Sequence, residues 1–133
     1  MNEKINVGQP VNCIIIDDKE KALLIKRANN KIKEPNKWSI PGGDLELYET
    51  AEEGIKREIK EELNCEICEL SYFKSYYKVL SPTLHARPLY FFGKIKGTVK
   101  INEESSAFKW FSRSELERID LAFGQSDILR DFF

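Results

Sequence analysis

Glu58, Glu61 and Glu62 stand three and four residues apart in the segment "REIKEEL", residues 57–63. In a helix those spacings bring like charges onto adjacent turns, at a cost of roughly 0.2–0.5 kcal/mol per pair. Carboxylates crowded in this way either take up protons or share a cation. A shared divalent cation suits phosphate chemistry, because it neutralises oxygens that would repel an attacking nucleophile. The distribution of charge along the chain fits such a site. From Lys19 to Lys37 there are seven basic residues against two acidic, and from Asp44 to Glu69 ten acidic against three basic. Two differently charged solvated surfaces would give the same counts.

A helix beginning after Thr50 must position the cluster. Thr50 and Glu53 have the spacing of a capping box. Ala51, Ile55, Ile59 and Leu63 recur every fourth residue as an apolar stripe, and Asn64 stands where a left-handed residue ends a helix. On a wheel of about 100° per residue the stripe spans roughly 120°, with Glu62 inside it, Glu58 at its edge and Glu61 further round. Two of the three carboxylates therefore point to the packed side or its rim. A salt-bridged surface helix is the alternative, since Glu52 can pair with Lys56 and Glu53 with Arg57. That alternative leaves Glu58 facing Glu62 without an explanation.

Around this helix, "VNCIII" and "ALLIKR" read as two strands joined by a hairpin-like turn across "DDKEK". "NNKIKEPNK" is a loop by composition, "WSIP" a short extended piece, and Gly42-Gly43 a loop where the backbone can approach a ligand. "ICELSYFKSYYKVL" and "LHARPLYFFGKIKG" read as two long strands, and "AFKWF" as a further short one. "SRSEL" opens a second helix with Ser112 as N-cap and Glu115 at N3. "GQSDILRDFF" is expected to close on the body through Ile128, Leu129 and Phe132. Strands interleaved with two or three helices imply an α/β or α+β sandwich.

At 133 residues, 41% hydrophobic and 11% aromatic, the chain is expected to form one domain over residues 1–133 with a proper core. No apolar run approaches the ~20 residues of a membrane span, and "MNEKINVGQP" lacks a leader's apolar centre, so the expectation is a cytoplasmic protein. A net charge of −1 implies no general attraction to nucleic acid or anionic membrane. Three cysteines without secretory context argue for reduced thiols. Cys65 and Cys68 form a C-x-x-C, but a zinc site would have to be completed by Cys13 and His85, and two half-buried strand residues account for the pair better.

Taken together, "GDLELYETAEEGIKREIKEELNC" resembles the box of the Nudix (MutT-like) family: Gly, five residues, Glu, seven residues, then Arg-Glu-apolar-x-Glu-Glu-x-Gly-apolar. Gly43, Glu49, Arg57, Glu58, Ile59, Glu61 and Glu62 match in register. Asn64 replaces the family's glycine, a mild departure because Asn tolerates positive φ, and Cys65 takes the apolar place. "LLIKR", "WSIPGG" and "KWFSRSEL" are also similar to their family counterparts. The resemblance implies a Nudix α/β/α sandwich around a mixed β-sheet.

It also implies a hydrolase that cuts the pyrophosphate linkage of a nucleoside diphosphate-X substrate by water attack at phosphorus. Oxygen-only ligands imply Mg²⁺, with Mn²⁺ as a substitute. Glu58 and Glu62 are the first choices as metal ligands, with Glu61 sharing the role and the Gly42 carbonyl as an additional ligand. The general base is Glu58 in some relatives and a later loop glutamate in others, for which "INEESSAFKW" offers Glu103 and Glu104, with Glu104 slightly favoured. Arg57 belongs to the catalytic set as an orienting residue paired with Glu49. Arg27 and Gly43 are candidate substrate contacts, although an exposed strand-end Arg is as good an account of Arg27.

Phe73, Tyr76, Tyr77, Tyr90, Phe91 and Phe92 are available to stack on a base, although strand aromatics more often serve the core. His85 and Arg87 share a strand face and are further substrate candidates. "DLAFGQSDIL" looks similar to a segment of relatives acting on ADP-ribose or modified nucleoside triphosphates. Nucleotide sugars, dinucleoside polyphosphates and capped RNA are other options. A Nudix-fold nucleotide sensor without turnover is the competing class, distinguished by loss of the box acids, all of which are present here. A small-molecule nucleotide is the expected partner, with no membrane and no stable nucleic-acid partner. A homodimer is expected by analogy alone.

Overall fold

The computed structural model describes residues 4–133; the first three residues of the N-terminal stretch considered for a leader lie outside it. Strands β1 (Asn6–Gly8), β2 (Pro10–Ile15), β3 (Ala22–Arg27), β4 (Trp38–Ser39) and β5 (Gly42–Asp44) precede helix α1 (Ala51–Leu63). Then come β6 (Glu66–Ser75), β7 (Lys78–Val79), β8 (Leu84–Ala86), β9 (Leu89–Lys96) and β10 (Ser105–Phe111). Helix α2 (Arg113–Leu116), a 3₁₀ turn (Ala122–Gly124) and helix α3 (Gln125–Phe132) complete the described chain.

Strands β2 and β3 are apolar at most positions because each is an inner strand of a sheet covered on both faces. β2 lies in a mixed sheet of order β5-β2-β9-β6, parallel to β9 and antiparallel to β5. β3 lies between β10 and β4 in an antiparallel sheet. Alternation along each strand then sorts the core. Val11, Cys13, Ile15, Leu23 and Ile25 pack with Ile55, Ile59 and Leu63 of α1. Ile14, Leu24, Ile40 and Phe111 pack with Leu121, Ile128 and Leu129 on the opposite side. The result is the expected α/β/α sandwich, with α1 on one side and the C-terminal helices on the other.

Two local expectations are corrected and one is refined. The hairpin-like turn between β2 and β3 is present, closed by the Ile16–Ala22 bridge and by the Asp17 amide donating to the Lys21 carbonyl, after which the two strands part into different sheets. A strand buried on both faces takes a neighbour at each edge, and β5, β9, β10 and β4 supply them. Gly42 and Gly43 are not in a loop but in β5, opposite Asn12 and Val11 of β2. The two long strands are each broken, at Tyr76-Tyr77 and at Arg87-Pro88, where Pro88 has no N–H for a ladder. Their far ends become β7 and β8, and β8 runs parallel to β1. β6 and β9 pair antiparallel.

Candidate active site

Helix α1 forms as its sequence dictates. The Thr50 hydroxyl accepts the Glu53 amide, the Glu53 carboxylate accepts the Thr50 amide, and Asn64 ends the helix with φ of 56°. Since Glu53 serves the cap, Arg57 does not pair with it but turns to Glu49. Its Nε donates to Glu49 Oε2 at 2.7 Å and its Nη2 to Glu49 Oε1 at 2.9 Å. Nη1 donates to Glu58 Oε1 at 2.9 Å and Glu61 Oε2 at 3.3 Å, and Nη2 also to the Asp44 carbonyl at 2.9 Å. A guanidinium has five N–H groups, and all are engaged here. Arg57 is thus tied within the protein, joining the loop before α1 to the acidic face of the helix. Its hydrogen bonds pull the Glu49 carboxyl down to about 2.

Glu58 and Glu62 face β5. The Gly42 amide donates to Glu62 Oε1 at 2.9 Å. Burial, and next the charge of Glu58, push the Glu62 carboxyl up to about 8. Burial also raises Glu58, against the opposing pull of Arg57. The bare backbone at Gly43 makes room for this pair, because a Cβ there would meet the Glu58 carboxylate carbon at 2.6 Å. A Cβ at Gly42 would strike the Val11 carbonyl and come within 2.6 Å of Asn12 Oδ1.

Glu61 is placed differently. It is more than half exposed and turned to Arg57, and its backbone carbonyl accepts from Asn102 Nδ2 at 3.0 Å. Among the described residues no three acidic, histidine or cysteine side chains converge as a ready-made cation cage. The donors fit a divalent ion nonetheless. They are oxygen atoms only, and two carboxylates are held side by side where burial and mutual repulsion disfavour their charge, which a hard cation between them would restore. Glu58 and Glu62 are the side chains that would hold it.

The carboxylates line a cavity of about 400 Å³ that Arg27, Lys31 and Glu104 also line. Arg27 donates from Nε to the Lys33 carbonyl at 3.0 Å, and its guanidinium lies 4.8 Å from the centre of the Phe123 ring. Glu104 pairs with Lys31 at 3.4 Å. Its amide donates to Asn102 Oδ1 at 2.9 Å, so the Asn102 carboxamide clips the Glu104 loop to the end of α1. Glu103 borders a neighbouring groove rather than this cavity.

Asn12, Lys31, Asn102, Phe123 and Gln125 were not singled out by sequence. Asn12 and Gln125 are buried polar residues on a central strand and an amphipathic helix, and a polar residue inside an apolar pattern is the signal that marks them. Phe123 carries no such mark, because its φ of 58° emerges only in the fold.

The stacking candidates serve packing: Tyr90 and Phe91 are buried, and Phe73 and Phe92 lie against Phe132. The Tyr76 hydroxyl donates to Asp131 at 2.9 Å. Tyr77 contacts His85 and lies under Arg87, so His85 and Arg87 meet each other's neighbour rather than the carboxylate cavity. Cys13 and Cys65 are buried and Cys68 partly so, all as free thiols, and burial pushes Cys13 up to about 12.

Comparison with known proteins agrees with this geometry. The family model described as NUDIX domain matches residues 8–132. An ADP-ribose pyrophosphatase of Methanocaldococcus jannaschii is 34% identical over 124 residues, covering 89% of this chain and 69% of that protein. The nucleoside triphosphatase NudI of Escherichia coli K12 is 30% identical over 129 residues, covering 89% and 92%. In fold, the solution structure of the E. coli ORF135 protein superposes with a TM-score of 0.82 at 24% identity, over 96% of this chain and 89% of that one. The crystal structure of a MutT protein from Methanosarcina mazei Go1 does so at 0.78 and 22%, over 98% and 96%. With the family model spanning nearly the whole chain and Glu58 and Glu62 of the box lining one cavity, the chain belongs to the Nudix family.

Proposed function

We propose that this Nudix pyrophosphohydrolase acts, as a single cytoplasmic domain, on the pyrophosphate linkage of a nucleoside diphosphate-X substrate with Mg²⁺ as its cofactor. ADP-ribose, a nucleotide sugar and a nucleoside triphosphate are the substrate classes, the first and last being what the named relatives act on. The observation that carries this is the Glu58–Glu62 pair, held beside β5 and lining a cavity that Arg27 and Lys31 also line. A divalent cation held there by Glu58 and Glu62 would neutralise the diphosphate and lower the pKa of a bound water.

The chain's own residues do the rest. Glu58 and Glu62 would hold the cation, with Glu61 at the edge of the cluster and the Gly42 carbonyl as a further ligand. Gly43 lets the substrate and Glu58 approach the same strand. Arg27 and Lys31 meet phosphate oxygens in the cavity, a guanidinium being suited to them by its planar fork. Glu104, which also lines the cavity, takes the proton from the attacking water. Arg57 keeps Glu58 in place.

The test is a panel of ADP-ribose, nucleotide sugars and nucleoside triphosphates with Mg²⁺, Mn²⁺ or EDTA, comparing wild type with Glu62→Gln. Phosphorus NMR in ¹⁸O-water identifies the phosphorus attacked. Metal-dependent cleavage lost in the variant is the expected result. Nucleotide binding without product from any of the panel would establish a sensor instead.

A further inference from the structure

Past Phe123 the cavity opens into a second chamber of about 610 Å³, which shares Asn12, Asp44, Phe123 and Gln125 with the first. The two differ in chemistry. The first is faced by carboxylates and cations; the second has mainly apolar walls, from Leu80, Leu84, Pro88 and Tyr90, with Lys33, Glu34, Lys78 and His85 also lining it. Asn12 stands between them on β2, in register with Gly42 on one side and Tyr90 on the other.

Asn12 is 7% exposed, yet its carboxamide exchanges no hydrogen bond with any described residue. No fully enclosed polar side-chain atom of the described protein lacks a partner, so the Asn12 amide must keep its contact with the cavity space. Gln125, 3% exposed, is a useful contrast. Its Oε1 accepts from the Ile40 amide at 2.8 Å and its Nε2 donates to the Tyr90 hydroxyl at 3.3 Å. Gln125 is committed to the fold, whereas Asn12 is free for a ligand. Most buried side-chain polar groups have partners, and one on a central strand facing two chambers awaits its own.

Phe123 defines the border. It holds a left-handed φ of 58°, a conformation that is strained for a bulky residue. Its amide donates to Glu34 and its carbonyl accepts from Lys78 Nζ, two anchors from different parts of the chain. The surroundings therefore hold the aromatic ring at the junction of the chambers.

We propose that Asn12 reads the nucleobase of the substrate and is a specificity-determining residue, hydrogen-bonding the base edge as the ring lies in the second chamber beside Phe123. The proposal rests on the first chamber being the diphosphate site. A carboxamide presents a donor beside an acceptor, which matches the paired donor and acceptor on a base edge. The apolar walls and the Phe123 ring suit a planar aromatic ligand. A sugar or phosphate alone would leave the second chamber without its complement.

The experiment is calorimetric titration of AMP, GMP, CMP, UMP and ribose 5-phosphate in EDTA, where phosphate and carboxylate repulsion is common to all five. Wild type is expected to bind at least one nucleotide more tightly than ribose 5-phosphate. Asn12→Leu is expected to lose about tenfold on that nucleotide, the scale of one hydrogen-bonded pair, and nothing on ribose 5-phosphate. No preference in wild type, or equal losses on both ligands, overturns the proposal. If the variant does not fold, the side-chain NH₂ resonance of Asn12 in ¹⁵N-labelled wild type decides. It should move with the nucleotide and stay still with ribose 5-phosphate; a resonance indifferent to both refutes the role. Binding in EDTA needs no turnover, so a protein that discriminates here but hydrolyses nothing would contradict the proposed hydrolysis and leave Asn12 its part.

Discussion

Arg57 grips Glu49 with two nearly parallel hydrogen bonds, at 2.7 and 2.9 Å, across the eight residues that separate the loop before α1 from its middle. A lysine keeps the charge but not the fork. Arg57→Lys should cost about 2 kcal/mol of stability, the scale of one hydrogen bond to a charged group. It should also lower activity by about 10–100-fold, as loss of an outer partner does when the groups it orients hold a metal. Urea unfolding and steady-state kinetics measure the two. An Arg57→Lys protein with wild-type kcat would mean that Glu58 needs no tether.

The raised carboxyls have a signature in stability. Glu62 rises from an ordinary 4.5 to about 8, so between those values the folded protein holds a proton that the unfolded chain releases. Stability without metal should therefore fall as pH rises from about 5 to 8, and Glu58 acts in the same direction. Glu49 and Glu115, each pulled down to about 2, act oppositely, and their contribution disappears only as pH drops below 4.5. Melting curves in EDTA should show this decline, flattened in Glu62→Gln and relieved by Mg²⁺ at pH 8. An identical slope in the variant would remove Glu62 as its source.

Gly43→Ala tests the packing of strand against carboxylate. The new methyl group would displace the Glu58 carboxylate, whose carbon lies 2.6 Å from the point that a Cβ would occupy. Because the end of a side chain can swing away, the melting temperature should change little while activity falls by at least about tenfold. Unaltered turnover would show that the position of Glu58 does not matter.

Asn102 tests whether the Glu104 loop must be held to α1. It accepts the Glu104 amide and donates to the Glu61 carbonyl. Asn102→Asp keeps the first bond and loses the second, whereas Asn102→Ala loses both. A drop in kcat of about tenfold at nearly constant KM is expected for both, with fast amide exchange at Glu104 in the alanine variant only. A change confined to KM would place the loop in binding rather than proton transfer.

Much of this was legible along the chain. The capping box at Thr50 and Glu53, the stop at Asn64 and the buried stripe through Leu63 are local matters, set by neighbours within one or two turns. The inward lean of Glu62 relative to Glu61 followed from helical periodicity alone, and the structure agrees. Less was legible where partners come from afar. Gly42 and Gly43 looked like a loop because their strand character depends on β2, some thirty positions earlier. The hairpin-like turn between β2 and β3 was legible because it is local, but the ladder partners of each strand come from elsewhere in the chain.

The order and spacing of residues thus determined the family, the sandwich and the identity of the acidic helix, since fixed intervals on one helix become fixed geometry without help from the rest of the chain. Tertiary structure decided which acids share the cavity, that Arg57 exhausts its donors within the protein, and that Asn12 faces a second chamber unpartnered. Those outcomes depend on burial and on contacts between segments far apart in sequence, and neither exists until the sheets and helices have packed.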